Sequence, residues 1–214
     1  VEATLYMKPP LGLRAGIIGW GGGASVLGAE ACERHGLSVP PFSPRLREKL
    51  GAFRFGPGVS VGNPVDSPVV SMPSSFVKAM SVIASSGEVN LLLVQLPFDL
   101  SHVRGPSAMW EATEDALLEN GGNLDIPVAV VRPHTSHPGS TSRFNAFRER
   151  CAEASLPLYP TFTQAAHAIS VYAQYYRWRA TYHTRKHTAD SPTAPVPKHL
   201  RRFPHRGTKR EPNG

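Results

Sequence analysis

The 214-residue chain reads as an α/β protein built on a doubly wound, parallel, five-stranded sheet. Three observations predict this class. Short apolar runs alternate with helical patterns, the order expected of βαβ units. Two of those runs, Leu91-Leu92-Leu93-Val94 and Val128-Ala129-Val130-Val131, are continuously apolar, which suits strands covered by helices on both faces. A glycine cluster, Gly19 and Gly21-Gly22-Gly23, joins the first strand to the first long helical pattern, where doubly wound sheets place their ligands. The apolar fraction of 41% is enough for a core.

The elements follow in order. The first strand is expected at Ala15–Gly19 and a helix at Ser25–His35, stopped by Gly36. A second strand is expected at Val59–Gly62, where alternation ends at the Asn63-Pro64 turn signal. The helix Ser74–Ser86 opens on serines that can cap it and carries Phe76, Met80 and Ile83 on one stripe. Strand Asn90–Leu96 precedes helix Ser107–Asn120, which ends at Gly121-Gly122. Strand Pro127–Arg132 precedes helix Ser142–Ala154, whose Phe144, Phe147, Cys151 and Ala154 share a face. The last strand is read at Leu156–Tyr159, and the closing helix Thr163–Arg179 aligns Ala165, Ile169, Tyr172 and Tyr176. Five strands separated by helices on both faces give a flavodoxin-like sheet over 13–181. Residues 1–12 read as a linker or remnant, and 182–214, with five prolines and scattered charge, as a disordered basic tail.

The net charge of +7 raises a nucleic-acid reading, which the distribution of charge answers. Residues 182–214 hold eight of the 23 Lys and Arg and two of the 16 Asp and Glu, leaving 15 and 14 for positions 1–181. A nearly neutral body excludes a phosphate-tracking surface as the main role, although the tail supplies weak contact with nucleic acid or another anionic surface. Cys32 and Cys151 lie in helical patterns with no metal-ligand spacing and read as small buried thiols. No run approaches a membrane span and the N-terminus lacks a basic-then-apolar leader, so a cytoplasmic protein with no membrane partner is expected.

The segment Gly16-Ile17-Ile18-Gly19-Trp20-Gly21-Gly22-Gly23-Ala24-Ser25 carries the most chemistry. Adjacent glycines at a helix start leave backbone N–H groups uncovered where the helix dipole is positive, which suits phosphate or carboxylate. Gly21, Gly22, Gly23, Ala24 and Ser25 are the candidate phosphate binders, with Ser25 able to cap the helix or donate to a bound oxygen. No Gly-Lys-Ser/Thr follows, so this is no P-loop, and the competing reading is a tight turn without ligand. After the fourth strand, Pro133-His134-Thr135-Ser136-His137-Pro138-Gly139 offers two histidines at the ligand edge as nucleophiles or phosphate donors; solvated loop histidines are the alternative. Asn63 and Asp66, turn formers by residue type, are candidates for positioning a phosphate-bearing ligand or, through Asp66, a cation.

Residues 16–30, then Arg34-His35-Gly36-Leu37-Ser38-Val39-Pro40-Pro41, then Ser60-Val61-Gly62-Asn63-Pro64-Val65-Asp66, resemble the succinyl-CoA-ligase-like flavodoxin domain of NDP-forming acyl-CoA synthetases. The resemblance continues through Ala154–Pro160, Ala165-Ala166 and Tyr175-Tyr176-Arg177-Trp178 and covers about 13–181. It implies a ligase that interconverts acyl-CoA, phosphate and a nucleoside diphosphate with the free acid, CoA and the triphosphate, carrying the phosphoryl group on a histidine. It also implies CoA, ATP or ADP and Mg in the assembled enzyme, and CoA-binding and ATP-grasp domains or subunits as partners. Gly21–Ser25 falls on the family's phosphate-holding helix start. Ser136-His137-Pro138-Gly139 is the nearest match to the phosphohistidine stretch, with Pro138 in place of threonine, so His137 precedes His134 as the candidate. Where the family has a glutamate after the third strand, this chain has Gln95-Leu96-Pro97, with Asp99 the nearest acid.

Overall fold

The computed structural model describes residues 2–19, 21–53, 59–66, 72–97, 107–133 and 140–189. Its order is α1 (Glu2–Tyr6), β1 (Ala15–Gly19), α2 (Gly22–Arg34), α3 (Pro44–Gly51), β2 (Val65–Asp66), α4 (Pro73–Ala84), β3 (Leu91–Gln95), α5 (Ser107–Gly121), β4 (Val128–Val131), α6 (Ser140–Glu153), β5 (Leu158–Tyr159) and α7 (Phe162–Ala189). The five strands form one parallel sheet in the order β2-β1-β3-β4-β5. That is the flavodoxin-like order.

The continuous apolar strands are divided by the pleat. Ile18, Leu92, Val94, Val128 and Val130 face a layer that includes Leu46, Phe76, Met80, Leu117, Phe147 and Cys151 of α3 to α6. Their alternates Ala15, Ile17, Leu91, Leu93, Ala129 and Val131 face Ala3, Cys32, Ala165, Ile169 and Tyr172 of α1, α2 and α7. A strand with helices on both sides has no solvent face, so period 2 sorts residues between two cores rather than between core and water.

Several expectations are corrected. The second strand is Val65–Asp66, not Val59–Gly62. Ser60 instead bridges Asp66 in antiparallel fashion, its N–H donating to the Asp66 carbonyl and accepting through its own carbonyl from Asp66 N–H, each at 3.0 Å. The Asn63-Pro64 turn folds Val59–Val61 back along the strand that reaches β1. Residues 1–12 are not a linker: α1 buries Ala3, Met7 joins the core, and Tyr172 Oη donates to the Met7 carbonyl at 3.0 Å. Lys8 Nζ donates to the carbonyls of Gly122 and Leu124 at 2.9 and 3.2 Å.

Helix α3 is not among the expected elements, although Ser43 caps it by accepting from Leu46 N–H and Pro44 opens it. Helix α7 runs to Ala189, past the expected tail boundary at 182, because no Pro or Gly interrupts the sequence there; the rest of the tail, 190–214, lies outside the described residues. The chain divides into two compact units, Val1–Tyr176 and Arg177–Gly214. In the second, Trp178 stacks on Tyr182 at 5.4 Å.

Candidate phosphate-binding site

The order β2-β1-β3 makes β1 and β3 the pair at which the winding reverses. The chain leaves β1 into α2 on one layer and leaves β3 toward α5 on the other. In doubly wound sheets ligands bind at the carboxyl ends of such a pair, which here are Gly19 and Gln95.

At that edge α2 begins three residues earlier than expected. Gly21 is its N-cap, at φ 87° and ψ 139°, with no side-chain cap. That φ lies where only glycine is relaxed. The N–H groups of Gly22, Gly23 and Ala24 fall in the first turn, where no intrahelical acceptor exists. Ser25 N–H already donates to the Gly21 carbonyl at 3.1 Å, so Ser25 has no backbone donor left for a ligand. Among the described residues, a Cβ at Gly21 or Gly23 would meet nothing within 4 Å, and one at Gly22 would lie 3.1 Å from Asp66 Oδ2.

Ser25 is not the cap. It is 4% exposed, and its Oγ has no hydrogen-bond partner among the described residues. The hydroxyl is directed at Gly19, where a Cβ would come within van der Waals overlap of it.

Asn63 braces β1 through its side-chain amide. Its Oδ1 accepts from Ile17 N–H at 3.0 Å, while Nδ2 donates to the carbonyls of Ala15 at 2.8 Å and Pro40 at 2.9 Å. The two-residue β2 pairs only with Ile18 and Gly19, so this amide replaces the missing ladder beside the first half of β1. Asp66, by contrast, ends β2 opposite Gly19 and holds its carboxylate beside the start of α2.

His134 and His137 lie outside the described residues, as does Asp99. Their loop leaves β4 after Pro133, and β4 is two strands from β1, a separation of about 10 Å at ordinary sheet spacing. Gln95 ends β3 as a buried, neutral side chain.

Sequence reasoning missed Arg132, at the carboxyl end of β4. It is buried, pairs with Glu114 of α5 at 2.8 Å, and lies 4.7 Å from the Phe147 ring centroid in α6. Burial raises the Glu114 pKa, against the opposing pull of Arg132. Arg150 reaches the same carboxylate at 3.9 Å and also pairs with Asp115. The group ties α5 and α6 to the strand that launches the histidine loop; the only sequence signal was an arginine closing an apolar run. Both cysteines are free and buried. No described cluster of three or more His, Cys, Asp or Glu could hold a metal ion, and no described helix is long and apolar enough to cross a membrane.

Fold and site together define a doubly wound α/β domain with an uncapped, glycine-opened helix start at its switch point. No protein-family model matches the chain, and no curated protein matches it. Among solved structures, PH0766 from Pyrococcus horikoshii OT3 is similar with a TM-score of 0.63 and 19% identity, over 80% of this chain and 37% of that one. The dinucleotide forming acetyl-coenzyme A synthetase 1 of Ca. Korarchaeum cryptofilum is similar in its apo form, with a TM-score of 0.61 and 21% identity over 84% of this chain and 37% of that one. In complex with phosphate and ADP it gives a TM-score of 0.60 and 20% identity, over 91% and 38%. The likeness is one of fold, and this chain spans little more than a third of each of those proteins.

Proposed function

We propose that this chain is the flavodoxin-like ligase domain of an NDP-forming acyl-CoA synthetase, acting with CoA-binding and ATP-grasp domains or subunits. The observation that carries the reading is the uncapped start of α2 at the β1/β3 switch point. Backbone donors fixed before the ligand arrives need no reorganisation to neutralise phosphoryl oxygens. The similarity of fold to a segment of an acetyl-coenzyme A synthetase supports the assignment.

In this reading an imidazole nitrogen of His137 attacks the phosphorus of an acyl phosphate, and the free acid leaves. A terminal oxygen of the nucleoside diphosphate then takes the phosphoryl group and restores the imidazole. His134 is the second choice. CoA, nucleotide and Mg belong to the partner domains, where Mg would neutralise the nucleotide phosphates. Asp66 does not fit a resident divalent cation: it is one carboxylate beside the positive end of a helix. A second reading, a non-catalytic phosphate- or nucleotide-binding module, is favoured by Gln95, because a neutral amide stands where a carboxylate would orient the imidazole.

The phosphate site is tested by titrating inorganic phosphate and following amide resonances. Residues 21–25 should shift at millimolar phosphate, the weak end of the affinity scale, and Gly22→Val should abolish the shifts by closing the approach. Unmoved resonances in the parent chain would remove the basis of the reading. Catalysis is tested by mixing the chain with a family ATP-grasp partner, labelled ATP and Mg. Acid-labile, base-stable label lost in His137→Ala supports the ligase; label lost only in His134→Ala reassigns the carrier, and no label favours the binding module.

A further inference from the structure

From the contact between Asp66 and the start of α2, we infer that this site takes a phosphate ester bearing a vicinal diol, as in a phosphorylated ribose, with the diol on Asp66 and the phosphate on the first turn of α2. The inference rests on the proposed phosphate site, in the second reading of the chain as a phosphate- or nucleotide-binding module, and adds the rest of that ligand.

Three groups converge there. Gly22, Gly23 and Ala24 present first-turn N–H donors with no side-chain cap. The Asp66 carboxylate stands 3.1 Å from the place of a Gly22 Cβ, on backbone pinned by Gly19 in the sheet and by Ser60 in the antiparallel bridge. Ser25 Oγ is buried, has no partner among the described residues, and lies against Gly19 at the end of β1. None of the ion pairs among the described residues engages Asp66.

Each simple ligand satisfies half of this set. A bare phosphate suits the helix start but meets a carboxylate, and like charges at contact distance oppose binding. A bare cation suits the carboxylate but meets the positive end of the helix dipole. A phosphate ester with two adjacent hydroxyls satisfies both, since its hydroxyls donate to the carboxylate in charge-assisted hydrogen bonds while its phosphate accepts from the backbone. Dinucleotide-binding sheets use the same division of labour between a glycine turn after the first strand and an acid ending the adjoining strand, about 20 residues on. Here α3 and its flanking loops are inserted between the two. A spacing rule therefore misses a juxtaposition that the fold makes.

The test compares AMP, ribose 5-phosphate, 2′,3′-dideoxy-AMP and inorganic phosphate by amide-shift titration of the full chain. AMP should bind about tenfold more tightly than its dideoxy analogue, as expected for lost hydrogen bonds to a charged group. Asp66→Asn should erase that preference while leaving phosphate binding equal or tighter. Ribose 5-phosphate matching AMP would identify a sugar phosphate as sufficient; AMP binding more tightly would show that the base is also read. Equal binding of AMP and its dideoxy analogue to the parent chain, with phosphate still bound, would overturn the inference and leave the phosphate site standing. So would an Asp66→Asn variant that tightens every ligand alike, since Asp66 would then only repel anions. If inorganic phosphate does not bind the parent chain, the phosphate site and this inference fall together.

Discussion

Ser25 places one atom at odds with stability beside the proposed phosphate site. A buried hydroxyl without a partner costs the fold its desolvation. Binding and catalytic groups are often left in that condition in the free protein, because the missing partner is the ligand. Its contact with Gly19 makes the geometry testable. A Cβ at Gly19 would overlap Ser25 Oγ but would sit an ordinary 3.4 Å from Ser25 Cβ. Gly19→Ala should therefore destabilise by about 1–3 kcal/mol through overpacking. Ser25→Ala, which removes only the offending oxygen, should be neutral or stabilising. Combined, the two substitutions should recover most of the loss, with a coupling of about 1 kcal/mol or more in a urea-denaturation cycle. Additive effects would place the Ser25 hydroxyl elsewhere.

Asn63 works at the scale of the element. Its sequence context, alternating apolar residues followed by Asn-Pro, reads as strand then turn, and both signals are local. Neither can reveal that the side-chain amide completes the hydrogen bonding of another strand. Asn63→Ala strands the Ile17 N–H and the carbonyls of Ala15 and Pro40, and should cost about 2–4 kcal/mol. Amide exchange should also accelerate first at Ile17. A loss below about 0.5 kcal/mol would mean that water replaces the amide. The same limit explains which elements were legible. β1, β3 and β4, and helices α2, α4, α5 and α6, carry apolar patterns that place them within about three residues of their bounds. β2 and α1, of two and five residues, owe their structure to tertiary contacts rather than to propensity. α3 is different, because Ser43-Pro44 followed by Leu46 and Leu50 is a readable cap, N1 and apolar stripe. The candidate site divides in the same way: the glycine turn was readable, whereas the approach of Asp66 to Gly22 depends on β2 pairing with β1.

Across the whole molecule, the two helix layers contain one buried thiol each, Cys151 in the layer of α3 to α6 and Cys32 in that of α1, α2 and α7. Burial pushes both up from 9.0 to about 12; for Cys32 the neighbouring Glu33 adds to the effect, and for Cys151 Arg132 opposes it. Both thiols are therefore protonated and inert in the native state at neutral pH. The linkage has one sign for both. A folded pKa above the unfolded value stabilises the protein fully at pH below the unfolded value, and that stability is lost as pH rises toward the folded value. The window opens near pH 9 and closes near 12. Within it each thiol should lower stability by up to about 1.4 kcal/mol per pH unit. Tyrosines and lysines titrate in the same range, so the measurement is a difference. Unfolding free energies of the parent chain and of the double variant Cys32→Ala, Cys151→Ala are compared from pH 8 to 10.5. The variant starts lower, because both cores lose packed volume, but its stability should fall less steeply with pH. Thiol reagents supply the kinetic counterpart. At pH 8 neither cysteine should react faster than the protein opens, and both should react at once in denaturant. Parallel pH profiles for the two proteins, or rapid labelling of the native chain, would show that the two layers do not seal their thiols from water.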